Sequence, residues 1–129
     1  MGAALKDPRA PLIVPMQTGR GLNSRGNFWV AHKRNLAEQD VIAWELARVT
    51  KPAIPCSCLL TRVAPSNGLD DDNLAGALKN VRDAVAKWLG VDDRDRMTVR
   101  YRYSQVRGPW AVRIEFGEPV VGAQHVLEL

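Results

Sequence analysis

A chain of 129 residues with 46% hydrophobic and 25% charged residues is the size and balance of one globular domain, able to bury a core without disulfide or metal staples. No apolar run is long enough to cross a bilayer, and the opening MGAALKDPRAPLIVP is too short in apolar length and too rich in proline for a secretory signal, so a cytoplasmic protein with no membrane partner is expected. The net charge of +4 is unevenly spread: residues 70–95 hold four Lys or Arg against seven Asp, a net of −3, and the remainder carries +7.

In chain order, residues 1–10 carry no clear pattern, and PLIVP (11–15) reads as an edge strand bracketed by prolines. TGRGLNSRGN (18–27) is a loop by its Gly and Asn content and presents Arg20 and Arg25. Residues 28–49 read as a helix that Pro52 terminates. Trp29, Leu36, Ile42, Trp44 and Val49 fall on no single stripe, while His32, Lys33 and Arg34 make the first half basic. IPCSCLLTRV (54–63) is a strand and APSNG (64–68) a turn. Cys56 and Cys58 are two apart on one strand face, a spacing that rarely closes a disulfide. His32 and His125 stand in no ligand spacing with them, so both are expected as buried thiols.

A second helix follows, with Leu74, Leu78, Val81, Val85 and Trp88 on one apolar stripe, Asp72 or Asn73 as its N-cap and Gly90 as its stop. MTVRYRY (97–103) and WAVRIEF (110–116) alternate as half-buried strands and are expected to pair as an antiparallel hairpin. Val99, Tyr101 and Tyr103 face one way, and Arg100 and Arg102 the other. Residues 118–129 are indistinct. The whole predicts one α+β domain spanning 1–129, with 1–10 and 118–129 peripheral, in which two main helices pack on a small mixed or antiparallel sheet.

The acids carry the chemistry. On a helical wheel Asp72, Gly76, Lys79 and Asp83 lie opposite the apolar stripe. Asp70 lies just before the helix, and Asp92, Asp93 and Asp95 just after it. If the chain leaving the helix folds back, acids from both ends can meet. Such hard oxygens suit a divalent ion that activates water and offsets charge on a phosphodiester, while the basic remainder draws in a polyanion. A purely structural reading, with capping and dipole acids, accounts for Asp71 and Asp72. It accounts poorly for Asp92, Asp93 and Asp95, because acids beyond a helix C-terminus oppose the dipole.

A strand, the run Asp70-Asp71-Asp72-Asn73, a helix carrying Lys79 and Asp83 four apart, and the pair Asp92-Asp93 before a strand resemble the RusA-type Holliday-junction resolvases. These are small, homodimeric, Mg²⁺-dependent endonucleases common in phages and prophages. IVPMQTGRGLNSRGNFW is similar to that family's opening strand and loop, so the resemblance covers roughly residues 12–116. It implies Asp70, Asp72 and Asp93 as metal-site acids with Asp92 beside them, Lys79 as the functional lysine, and Asn73 and Asp83 in support. One departure is visible: Lys79 follows Asn73 by six residues rather than three, and Gly76 stands in the usual slot. The resemblance implies a homodimer that cuts four-way or other branched DNA with Mg²⁺, Mn²⁺ being a possible substitute. Arg20, Arg25, His32, Lys33, Arg34, Arg100 and Arg102 would hold the backbones. Two other readings stand beside it: a branched-DNA-binding protein of the same fold with weak or lost cleavage, and a phage structural or interaction protein that binds no nucleic acid.

Overall fold

The computed structural model describes residues 5–18, 28–66, 68–92, 94–95 and 97–119, with the side chains of 28–31 left aside. The elements run β1 (Leu12–Val14), α1 (Phe28–Leu46), β2 (Cys56–Ala64), α2 (Asp71–Ala77), α3 (Lys79–Leu89), β3 (Val99–Arg107) and β4 (Ala111–Gly117). The four strands form one mixed sheet in the order β1-β4-β2-β3. β2 runs parallel to β3 and antiparallel to β4, and β1 closes the other edge antiparallel to β4. This is an α+β domain, as the pattern of elements predicts.

Register decides which side chains meet the helices. Cys58 lies between Tyr101 and Phe116, and Leu60 between Tyr103 and Ile114, which in turn pairs with Leu12. These residues form one core with Ile42 and Leu46 of α1 and with Leu74, Leu78, Val81 and Val85. The opposite sheet face carries Ser57, Leu59, Thr61, Arg100, Arg102, Arg113 and Glu115 by alternation and adds nothing to that core. Cys56 and Cys58 are both buried free thiols, and burial raises the pKa of each.

Three expectations change. Residues 97–103 and 110–116 form strands with the expected faces but not a hairpin, because β2 lies between them and pairs with both. Alternation fixes which face a side chain takes and leaves the neighbouring strand open. β2 is buried along nearly its whole length and takes the sheet's interior. The β3–β4 link therefore crosses the end of β2 in three residues, 108–110. Gly108 donates to the Ala64 carbonyl at 3.0 Å, and a Cβ there would stand 3.0 Å from Val63 Cγ1.

The second helix is two helices. At Leu78 the backbone turns to φ −99°, ψ 4°, and its N–H reaches both the Gly76 and Leu74 carbonyls. Gly76, a poor helix former, sits two residues before the break. The stripe Leu74, Leu78, Val81, Val85 is nonetheless buried, and Trp88 tilts against Phe116 with centroids 5.7 Å apart. Gly90 closes α3 in the left-handed region at φ 74°, as a C-terminal glycine should. The N-cap of α2 is Asp70 rather than Asp72 or Asn73, since Asp70 Oδ1 accepts from the Asn73 N–H at 2.9 Å.

α1 hides its stripe from an apolar count because one member is acidic. Glu38, Ile42 and Leu46 are buried at steps of four, while Leu36, Val41 and Trp44 are exposed. Asn80 of α3 donates to Glu38 Oε2 and to Asn35 Oδ1, both at 3.0 Å, and so links the two helices. Near the N-terminus, Lys6 bonds the chain after α1 through the Arg48 carbonyl and the Thr50 N–H.

The crossing over β2 is testable by a double-mutant cycle. Gly108→Ala should cost about 1–3 kcal/mol by overpacking, and Val63→Ala should recover part of that loss when combined with it. Urea denaturation of the four proteins reads the coupling. Additive losses would mean that the link does not ride over Val63.

Candidate functional site

The acidic segment is pinned at both ends to β3. At its start, Gln105 accepts from the Leu69 N–H at 2.8 Å and donates to the Leu69 carbonyl at 2.7 Å, which fixes the residue before Asp70. At its end, Asp95 accepts from the Thr98 hydroxyl at 2.6 Å and from the N–H groups of Met97 and Thr98. Those bonds hold the Asp95 carboxyl below the usual aspartate range, the Thr98 hydroxyl contributing most. Asp95 is thus an acid past a helix end with a structural reason, which the dipole argument could not supply.

Asp70, Asp71 and Asp72 are exposed at the leading edge of α2. Asp70 uses one carboxylate oxygen as the cap, leaving the other outside that bond. Beside them the Asn73 side-chain oxygen is buried with no hydrogen-bond partner. These hard oxygens match the chemistry of a small divalent cation, which takes one or two carboxylates and keeps waters. Among the described residues no three His, Cys, Asp or Glu side chains are grouped to hold a metal. Asp93, Arg20 and Arg25 lie outside the described residues.

The later acids fall elsewhere. Asp83 and Asp92 line one cavity of about 420 Å³ with Gln39, Lys87 and Arg94, and neither Asp70 nor Asp72 is on it. The anchors at Gln105 and Thr98 lie seven residues apart along β3, roughly 23 Å at the usual strand rise. Among the described residues Asp70, Asp72 and Asp92 are not grouped as a metal-holding cluster. Asp92 instead accepts from the Arg94 backbone N–H at 2.9 Å and pairs with its guanidinium at 3.4 Å.

A second cavity of about 470 Å³ is lined by Ala75, Arg82, Arg94, Val99, Arg100, Tyr101 and Tyr103. It shows that the segment after α3 does return to α2, since Arg94 and Ala75 share it. Arg82 donates to the Tyr103 hydroxyl at 3.1 Å. The Tyr101 hydroxyl is buried without a partner, and burial is the main cause raising its pKa. Lys79 opens α3, beyond the break, and pairs with Asp83 at 3.7 Å.

The basic residues divide. His32, Lys33 and Arg34 are exposed on α1, which packs against α3. Arg102 points from the sheet face away from the core, while Arg100 also lines the second cavity. Sequence reading passed over Arg82, Arg94 and Tyr101. Their signal was weak: two arginines inside an acidic segment, and a tyrosine counted as core. No family model matches the chain, and no curated protein matches it.

Two outcomes follow. Asp70→Ala should destabilise the fold by about 1 kcal/mol through the lost cap, and Asp70→Asn far less because its amide oxygen can accept the same bond; chemical denaturation compares them. The depressed pKa of Asp95 gives stability fully present above the ordinary aspartate value of 3.8 and lost as pH falls through the folded value. Asp95→Asn should therefore flatten the thermal midpoint's fall below about pH 4, measured by circular dichroism across pH 2–6.

Proposed function

We propose that this chain is a Mg²⁺-dependent endonuclease of RusA-like type that resolves four-way junctions or other branched DNA. The observation that carries this reading is the edge of hard oxygens at Asp70, Asp72 and Asn73, one helical turn from a cavity lined by Arg82, Arg94 and Arg100. Acids beside clustered guanidinium groups suit a metal and the phosphodiester it would act on.

In this reading Asp70 and Asp72 hold the ion together with Asp93, which lies outside the described residues. A bound Mg²⁺ would supply a more acidic water and offset charge on the phosphodiester. The chain's own part is orientation. The cap bond to the Asn73 N–H fixes the Asp70 carboxylate, and the Gln105 clamp fixes the turn before it. Arg82, Arg94 and Arg100 seat the scissile phosphate, with His32, Lys33, Arg34 and Arg102 reaching outer backbone phosphates. Paired nicks in a two-fold junction call for a two-fold homodimer, and a cytoplasmic setting suits a DNA substrate.

The engagement of Lys79 favours a second reading, a branched-DNA-binding protein with weak cleavage. Lys79 sits on a separate helix and faces Asp83. Its side chain is 62% exposed, so the pair contributes little stability and does not fix the lysine in place.

The test is cleavage of a labelled four-way junction, with linear duplex and fork controls. With Mg²⁺ the wild type should cut the junction selectively. Asp70→Asn, Asp72→Asn and Asp93→Asn should each lose cutting by a hundredfold or more while still shifting the junction in gels. Wild-type binding without cutting in either Mg²⁺ or Mn²⁺ would sink the enzyme reading and leave the binding protein.

A further inference from the structure

One cation in this fold is buried without a counter-ion. Arg62 lies on the core-facing side of β2, in the row of Gln105 and Val112, and only 5% of it is exposed. Its Nε–H is buried and meets no acceptor, and no carboxylate pairs with it among the described residues. Its close partner among the described residues is the Trp110 ring, 5.3 Å from the guanidinium carbon. A cation–π contact offsets only part of the cost of desolvating a guanidinium. Burial accordingly lowers the Arg62 pKa.

The guanidinium is not sealed in. Arg62 lines a cavity of about 210 Å³ together with Ser66, Gly68, Gln105, Val106 and Arg107. Among the described residues the lining therefore holds two arginines, Arg62 buried and Arg107 exposed, with a serine and no acidic residue. Gln105 is held in place on the wall by its two bonds to Leu69. Gly68 stands against it, since a Cβ there would lie 3.0 Å from Gln105 Oε1. Two arginines and a hydroxyl around a rigid wall form a receptor for a tetrahedral oxyanion, which two guanidinium forks can grip with several charge-assisted bonds.

We infer that this cavity at the C-terminal end of β2 binds a phosphate group, with Arg62 as the buried anchor and Arg107 as the gate cation at the rim. The same chemistry can come from inorganic phosphate or from a nucleic-acid backbone. A backbone source would rest on the endonuclease reading, in which it is a non-scissile phosphate held beside the turn that leads to Asp70. The site is separate from the Arg82–Arg94–Arg100 cavity and shares no lining residue with it.

The experiment is a titration followed by the arginine Nε–H resonances of the ¹⁵N-labelled full chain, with Arg62 assigned by comparison with Arg62→Met. Inorganic phosphate should move the Arg62 resonance saturably, and chloride at matched ionic strength should not. Phosphate should also raise the thermal midpoint of the wild type. Arg62→Met should weaken binding on the order of tenfold or more, the size of one charge-assisted hydrogen bond. Should Arg62→Met fail to fold, Arg107→Ala alters only an exposed rim residue and should weaken phosphate binding severalfold. A short DNA duplex that moves the same resonance identifies the backbone as the source, and one that leaves it unmoved identifies a small phosphate compound. An Arg62 resonance unmoved by both phosphate and DNA overturns the inference. The readout does not depend on cutting, so a chain that never cleaves junctions leaves it intact.

Discussion

The constraint on which the rest depends is the position of β2 between two strands that are joined to each other. β3 and β4 are consecutive, yet β2 fills the gap between them and bonds both along most of its length. Neither neighbour can shift without breaking a ladder on β2, and the β3–β4 link must cross its end within three residues. The close pass of Gly108 over Val63 is a consequence. So is the burial of nearly every β2 side chain, including Thr61, whose hydroxyl meets that of Ser104 on β3 at 2.6 Å across the β2–β3 ladder.

The acidic segment hangs from that framework. The C-terminal end of β2 leads through Gly68 and Leu69 to Asp70, and β3 holds that turn with Gln105. The N-terminal end of β2 accepts the other anchor, as the Cys56 N–H bonds the Thr98 carbonyl at 3.0 Å and Asp95 grips Thr98. One rigid strand pair thus sets both ends of the acidic segment. Between these anchors α2 and α3 bury their shared apolar stripe on both sides of the break at Leu78.

What the sequence made legible follows from which physics leaves a periodic trace. The strands at 97–103 and 110–116 announced themselves by alternation, because each has one buried face. The stripe from Leu74 to Trp88 did so at helical spacing, since the kink at Leu78 barely disturbs it. α1 was harder: its buried row includes Glu38, satisfied by Asn80 across the helix pair, while Trp44 lies outside under Arg48 at 5.7 Å. An apolar count cannot see a buried glutamate or discount an exposed tryptophan. Strand order left no local trace at all, since neighbour choice is settled by pairing over long separations. Arg62 was invisible for a similar reason, as one arginine ending an apolar strand reads as an exit to solvent until the rows of the sheet place it inside.

The capping bond also changes what Asp70 can do. An exposed aspartate loses side-chain freedom when it takes up a ligand, which weakens binding. Here the Asn73 N–H already holds the carboxylate through one oxygen, which leaves the second outside that bond. In the proposed reading, capping and ligation would be cooperative uses of one side chain rather than rival explanations, the ion taking the oxygen that the cap leaves. Asp92 has no such arrangement, because Arg94 takes both its oxygens from a neighbouring position. Of the acids at the two ends of the segment, Asp70 keeps one oxygen outside its cap bond while Asp92 is paired with Arg94.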